Sequence, residues 1–299
     1  MIPELERQSQ ATLFGARFVA TAKGVGGTIR RSPLSAIIAV IMLAIVLVLV
    51  AVVPFLPTFD PYKQSLADSL LPPFVDPQHL FGTDPLGRDL LSRLAVATQV
   101  SLLIAGGAVV VSATIGLVVG LIAGYARGRV DAALMTIGDI QLSIPIVLLL
   151  IVLVATLGSS PFLLVLLLGI TNWVGYGRVV RSMAVSLRER EFVLANRTAG
   201  ASAFWIIRKH LLPNVLPQVF ILAAFEVGVV ITIESSLSFI GLGVQPPTPS
   251  LGLMINEGQR YVQSDPTLTI VPALAIFLVI GGIQFLSQNV GARRMTRSH

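Results

Sequence analysis

No cysteine occurs anywhere in the chain. This excludes disulfides, zinc–thiolate sites and thiol catalysis, and leaves the redox compartment undefined. Histidine is nearly as scarce: His79, His210 and His299 are far apart in sequence, which leaves little material for imidazole clusters. Charged residues make up 12% of the 299, against about 25% in ordinary soluble proteins. The sequence has no G-x-x-x-x-G-K-[S/T] loop, so the chain does not cradle a nucleoside triphosphate by that route. What it does have is apolar: 54% of residues are hydrophobic and the mean hydropathy is +0.85. This is an integral membrane protein. In such a protein the pI near 10.3 reads as basic loops on one side of the bilayer rather than as nucleic-acid binding.

A helix crossing the bilayer needs about 20 apolar residues, and the charge-free windows mark six. The first span is predicted at about 35–57, between Arg31 and Asp60, and the second at about 99–124, between Arg93 and Arg127. The third is predicted at about 132–156 with Asp139 near one end, and the fourth at about 161–177 after the break Gly158-Ser-Ser-Pro161. The fifth, about 214–238, carries Glu226 and Glu234; the sixth is predicted at about 267–289. The first span follows a basic stretch, as a signal peptide would. Its apolar run is longer than the usual 7–15 residues and no small-residue cleavage site follows, so it reads as a retained span.

Basic residues set the orientation. The N-terminal tail (1–34) holds Arg7, Arg17, Lys23, Arg30 and Arg31; a short turn holds Arg127 and Arg129; Arg178–Lys209 holds seven more; the C-terminal tail (290–299) holds Arg293, Arg294 and Arg297. The opposite set is only Lys63, Arg88, Arg93 and Arg260. The positive-inside rule places both termini and the Arg178–Lys209 segment in the cytoplasm, and the 58–98 segment outside.

The outer segment contains Phe81-Gly-Thr-Asp-Pro-Leu-Gly-Arg-Asp-Leu-Leu-Ser-Arg-Leu94. Gly82, Pro85 and Gly87 bend the chain and Thr83, Asp84 and Asp89 can bond the local backbone. Asp84 and Asp89 could pass for a metal pair, but carboxylates in a turn more often cap a helix. Acids inside a span cost about 2.5–3.5 kcal/mol each at a helix centre. Asp139, about two turns from the inner face, and Glu234, near the outer face, are expected to reach polar surroundings. Glu226 lies closest to mid-span. For all three, a pathway role and a hydrogen-bonded packing role both stand.

The densest charge lies in Glu191–Pro217. Leu187–Ala199 reads as a short helix, Gly200 as its left-handed terminator, and Ser202 as the cap of a second helix carrying Phe204, Trp205, Ile206 and Ile207. Pro213 and Pro217 mark the start of span five. Such a segment either lies on anionic membrane lipid or is an elbow that passes force from a soluble partner into span five. After span five, Ser236–Gly252 holds three prolines and three glycines. Irregular backbone of this kind near a membrane must be buried in protein or line a water-filled path.

Three motifs together, the 81–93 stretch, Glu191–Pro217 and Ser238-Phe-Ile-Gly-Leu-Gly-Val-Gln-Pro-Pro-Thr-Pro-Ser250, resemble the permease subunits of ATP-binding-cassette (ABC) importers. The resemblance is to the dipeptide/oligopeptide/nickel group, C-type of the two paired permeases, and covers about Ser32 to Arg294. The family's cytoplasmic signature is a Glu-Ala-Ala triplet, then a Gly, then a Leu-Pro pair. It maps to Leu194-Ala195-Asn196, Gly200 and Leu212-Pro213; Leu194 and Asn196 depart from the triplet, and His210 stands where an apolar residue is usual. The resemblance implies an all-α, six-span type I importer permease in the bacterial inner membrane, with a five-helix permease domain over 99–289. It implies coupling helices at about 187–211 that dock on an ATPase through Glu191, Phe192, Leu194, Ala195, Asn196, Arg197, Ala199, Gly200 and Ala201. Leu212 and Pro213 would form the hinge into span five, and Gly241, Gly243, Pro246 and Pro247 an outer gate or binding-protein contact. The implied partners are a second homologous permease, two ATPase subunits and an extracytoplasmic substrate-binding protein. The resemblance also implies that no cofactor binds this chain directly and that ATP and magnesium act in the ATPase subunits. The implied solute is a peptide or similar small solute, with nickel, glutathione-like peptides and opines as alternatives.

Two other classes remain to be weighed. A secondary transporter would favour internal repeats and a mid-membrane ion site; no repeat is evident. An intramembrane enzyme would need a nucleophile with a base or clustered metal ligands, which the sequence does not supply. A reporter fused after Asp76 is expected to read as extracytoplasmic and one after Arg190 as cytoplasmic; the opposite pattern would invert the topology.

Overall fold

The structure, a computed structural model, describes residues 33–295. Most of the N-terminal tail assigned to 1–34, and residues 296–299 of the C-terminal tail, lie outside the described residues. Among those residues the chain is helical, with a single isolated bridge between Thr83 and Asp89. The helices are α1 (Pro33–Ala51), α2 (Leu90–Ala126), α3 (Gly128–Leu142), α4 (Ile146–Leu157), α5 (Pro161–Arg188), α6 (Glu191–Thr198), α7 (Ala203–Phe239), α8 (Leu251–Gly258) and α9 (Thr267–Met295).

The core of the bundle is the α2–α5 pair, the most extensive contact between elements. Along α2, Ala108, Ser112, Gly116, Gly120 and Gly124 recur every four residues and are all buried. This small-residue stripe lets two backbones approach closely, the main route to tight packing where lipid supplies no hydrophobic drive. A Cβ on Gly116 would fall 2.6 Å from the Trp173 carbonyl oxygen, one on Gly120 2.6 Å from that of Gly177, and one on Gly124 2.8 Å from that of Arg181. Residue numbers rise together on both helices: Gly107 meets Val165, Gly116 meets Tyr176, Gly120 meets Val180 and Gly124 meets Ala184. The two helices are therefore parallel.

Parallel neighbours require a return crossing, and α3 with α4 supplies it. By this register Pro161 lies near the level of residue 103, so the return climbs about 35 Å at 1.5 Å per residue, enough for a hydrocarbon core of about 30 Å. The expected straight third span is instead two helices of 15 and 12 residues bent by 82°. Pro145 is the cause: it has no N–H to continue the ladder and disfavours the helical conformation at Ile144. The bent pair counts as one broken crossing, and with α1, α2, α5, α7 and α9 it gives six.

Helix α1 lies on the flank of α9, where Gly281 and Gly282 admit Met42 and Leu43; most of its other large side chains are exposed, as suits lipid contact. At its far end Pro54 cannot donate to the Val50 carbonyl, and Gln99 Nε2 of α2 does so instead at 2.8 Å. Helices α2 and α7 each run 37 residues, about 55 Å, and so extend well beyond the hydrocarbon core.

Gly120→Val is expected to wedge α2 from α5 and lower stability by roughly 1–3 kcal/mol or more. Gly106→Ala, where a Cβ would meet nothing within 4 Å, is expected to stay within about 0.5 kcal/mol of the parent. Thermal unfolding in mild detergent checks both.

Candidate partner-docking elbow and intramembrane acids

The elbow forms where α5 ends. Leu187 and Arg188, expected in the elbow's first helix, belong to α5. Arg188 donates to the Tyr125 carbonyl and lies over the Tyr125 ring at 5.4 Å, which ties the ends of α2 and α5 together. Helix α6 then runs only eight residues. So short a helix is marginal in water; packing holds it, through Val193, which is 1% exposed in a cluster with Leu121, Tyr176, Val180, Ile206 and Leu211. Glu191 in its first turn and Arg197 in its last complement the helix dipole.

At the elbow's bend Gly200 takes φ +84°. Gly200 N–H donates to Arg197 O (3.1 Å) and Ala201 N–H to Asn196 O (3.0 Å), the paired bonds of a Schellman terminator. Ser202 caps the next helix by accepting from Trp205 N–H. That helix does not restart at Pro213 as expected: it continues through a π turn at Ile207–Leu211 into the long membrane crossing. Leu212 N–H reaches back five residues to Ile207 O, so the ladder widens just ahead of Pro213. Leu212 is half-buried and Pro213 exposed at this junction.

The outward face of the elbow is apolar and aromatic. Phe192, Leu194, Phe204 and Trp205 are exposed, Phe204 by 73%, alongside Ala195, Arg197, Ala199 and Gly200; Asn196 and Ala201 are half-buried. Asn196 Nδ2 donates to Phe192 O at 2.6 Å. His210 lies between Phe192 (5.6 Å) and Trp205 (5.1 Å), so its flat ring does the packing an apolar residue would do.

The three intramembrane acids have different surroundings. Asp139 is exposed and paired with Arg178 at 2.6 Å; nearby, Asp131 accepts two bonds from Arg181, so two ion pairs tie α3 to α5. Glu234, expected to reach polar surroundings near the outer face, is instead fully buried. Ser238 Oγ donates to it at 2.8 Å and Ser101 Oγ at 3.1 Å. Ser250 Oγ donates to Ser238 Oγ and caps α8, so this carboxyl joins α2, α7 and α8. Sequence reasoning missed this cage because Ser101 lies 133 residues from Glu234 and Ser250 joins only through Ser238 once the loop after α7 folds back. Glu226 is half-buried and, among the described residues, takes part in no hydrogen bond or ion pair.

The loop after α7 repeats the elbow's terminator. Gly241 takes φ +83°, with Gly241 N–H on Ser238 O and Leu242 N–H on Leu237 O. Gly243 is pressed onto Ser238, where a Cβ would fall 1.8 Å from Oγ. Pro246 and Pro247 are exposed.

At the end of the bundle away from the elbow, the 81–93 motif forms a buried charge knot. Asp84, 2% exposed, accepts from the N–H groups of Leu86 (2.8 Å) and Arg88 (3.0 Å), from Arg88 Nε (2.6 Å) and from Arg93 Nη1. Arg93 also bonds Glu257 of α8 at 2.8 Å. Asp89 caps α2 through Ser92 and contacts His79 at 3.2 Å. Both carboxylates are thus taken up by protein donors, which removes the metal-pair reading.

Residues 116–297 match the family described as binding-protein-dependent transport system inner membrane component. The chain belongs to that family. Its relatives include the nickel transport system permease NikC of Escherichia coli K12, 39% identical over 222 residues (74% of this chain, 79% of NikC). The oligopeptide permease OppC of Haemophilus influenzae is 35% identical, covering 86% of this chain and 82% of OppC. The probable D,D-dipeptide permease DdpC of E. coli K12 is 36% identical, covering 95% and 92%. Among solved structures, the MetNI methionine ABC transporter in inward-facing conformations aligns with a TM-score of 0.49 at 21% identity, over 66% of this chain and 94% of that one. The chain is thus a multi-pass permease subunit of a binding-protein-dependent ABC importer, and the relatives are transport permeases rather than enzymes.

Asp84→Ala in this permease is expected to leave the buried Arg88 and Arg93 sharing Glu257 alone and to cost about 3–5 kcal/mol. Folded yield and thermal unfolding in detergent would register the loss; an unchanged melting temperature would show the knot to be dispensable.

Proposed function

We propose that the elbow is the contact through which a cytoplasmic ATPase drives this permease. The observation that carries the reading is the union of an exposed apolar face, Phe192, Leu194, Phe204 and Trp205, with a mount that does not yield. Val193 roots α6 in the bundle, and α7 runs without a break from Ala203 to Phe239. A push on the elbow is therefore delivered along a helix about 55 Å long rather than absorbed in a loop. The signature departs from a Glu at Leu194, so docking here rests on apolar and aromatic contact rather than on a carboxylate.

In this reading the chain sits in the bacterial inner membrane with its elbow in the cytoplasm. It pairs with a second homologous permease, and an extracytoplasmic binding protein delivers the solute. ATP and magnesium are bound and used in two ATPase subunits. Closure of the ATPases moves both elbows and switches the bundle between inward- and outward-facing states, a rigid-body change of a bistable assembly. The 241–247 loop, rigidly capped onto α7, forms part of the outer gate or binding-protein contact. The solute is a peptide or a similar small solute: OppC and DdpC, named for oligopeptide and D,D-dipeptide systems, are relatives over 86% and 95% of this chain, with nickel, named for NikC, as the alternative.

Gly200→Pro removes both the left-handed conformation and the N–H of the terminator. It is expected to leave insertion intact while ATP hydrolysis by the assembled complex continues and uptake falls at least tenfold, a coupling loss of about 1.4 kcal/mol or more. Normal uptake by this variant would rule out the elbow as the coupling element.

A further inference from the structure

The charge knot does not use all of Arg88. The residue is only 7% exposed, and its Nε donates to Asp84 at 2.6 Å. Nη2 lies 3.6 Å from Glu257, too far for a hydrogen bond, while Glu257 is bonded by Arg93. Among the described residues neither terminal nitrogen of Arg88 donates to an acceptor. Neither is sealed in the interior; both reach outward. A nearly buried guanidinium with free donors is costly unless something comes to meet them.

The donors open into a pocket of about 230 Å³. Pro85 and Leu86 of the 81–93 motif form one wall, and Asn256 and Glu257 of α8 another. Arg260, in the turn Gln259–Tyr261 that follows α8, stands at the rim. It is exposed and makes no ion pair among the described residues. Arg88 and Arg93 are matched in the knot by Asp84 and Glu257, so Arg260 leaves the pocket with one positive charge in excess. The outer segment around it is acid-rich: Asp60, Asp68 and Asp76, none of them buried, stand against Lys63.

Two guanidinium groups over one hollow suit a carboxylate, which a planar fork binds through two bonds. The pocket falls short of the roughly 300–1,000 Å³ that whole small ligands occupy, so it takes a side chain rather than a solute. Asn256 donates to the Phe239 carbonyl at the end of α7, which fastens this wall to the base of the 241–247 loop. We propose that the pocket receives an aspartate or glutamate side chain of the extracytoplasmic binding protein, clamped between Arg88 and Arg260, and so fixes where that protein docks. The inference rests on the importer reading above. A positive pocket on an acid-rich face sets one register, because the same acidic side chain is repelled elsewhere.

The test uses the assembled importer in nanodiscs and its own binding protein, recognised as the one that stimulates ATP hydrolysis. Arg260 is varied because it lies outside the knot. Arg260→Ala is expected to weaken binding about five- to tenfold at low salt and Arg260→Glu about a hundredfold, both deficits shrinking at high salt. Arg260→Lys keeps the charge and is expected to stay within about threefold of the parent. Reversal of one acidic residue of the binding protein to Lys is expected to restore binding to Arg260→Glu and not to the parent. A deficit that salt does not reduce and no such reversal rescues, or failure of the Arg260 variants to assemble, would overturn the proposal. If no binding protein stimulates the parent importer, the importer reading falls and this proposal with it. Equal affinity of the binding protein for the parent and for Arg260→Glu overturns the pocket alone.

Discussion

Close parallel packing of α2 against α5 is the constraint from which the architecture follows. Gly116, Gly120 and Gly124 bring the two backbones so near that a single methyl group would collide with main-chain oxygens. Because the two helices point the same way, the chain must cross back between them. Pro145 then fixes where that crossing breaks. The same register puts the ends of α2 and α5 side by side, where Arg188 binds the Tyr125 carbonyl and the elbow is rooted. Charge knot and elbow end up at opposite ends of the bundle because six crossings leave them no other arrangement.

At both ends of α7 the chain solves the same problem in the same way. A helix that stops leaves carbonyls without partners, which near a bilayer water cannot be relied on to satisfy. Gly200 and Gly241 each turn left-handed and fold two N–H groups back onto those carbonyls. The results are two stiff corners, one beneath the exposed aromatic face of the elbow and one under the proline-rich outer loop. A lever with compliant joints would lose its stroke in the joints; here they are closed by backbone hydrogen bonds.

Polar groups inside the bundle divide by whether the fold satisfies them. Glu234, Asp84 and Asp89 are enclosed by donors drawn from several segments, and each binds elements together. Glu226 is half-buried on the side of α7 that carries Val215, Val219 and Leu237, and takes part in no hydrogen bond or ion pair among the described residues. Insertion is not threatened, since about twenty residues each gaining about 0.3–0.6 kcal/mol outweigh one acid.

Much of this was legible in the residues. Apolar windows placed six crossings, and the local chemistry of Asp89, Gly200 and Ser202 specified caps that depend on only a few neighbouring residues. The four-residue recurrence of Ala108, Ser112, Gly116, Gly120 and Gly124 was also available as a packing signal, but which helix it would face was not. The bend at Ile144–Pro145, the unbroken run of α7 past Pro213 and the serine cage around Glu234 came only from the folded chain. The sequence by itself determined which segments prefer the bilayer, where helices stop and which end is basic, because these depend on composition and on contacts a few residues apart. Tertiary structure alone decided which acids are satisfied and which helix side stays open, because those depend on side chains brought together from more than a hundred residues apart, as Ser101 and Glu234 are.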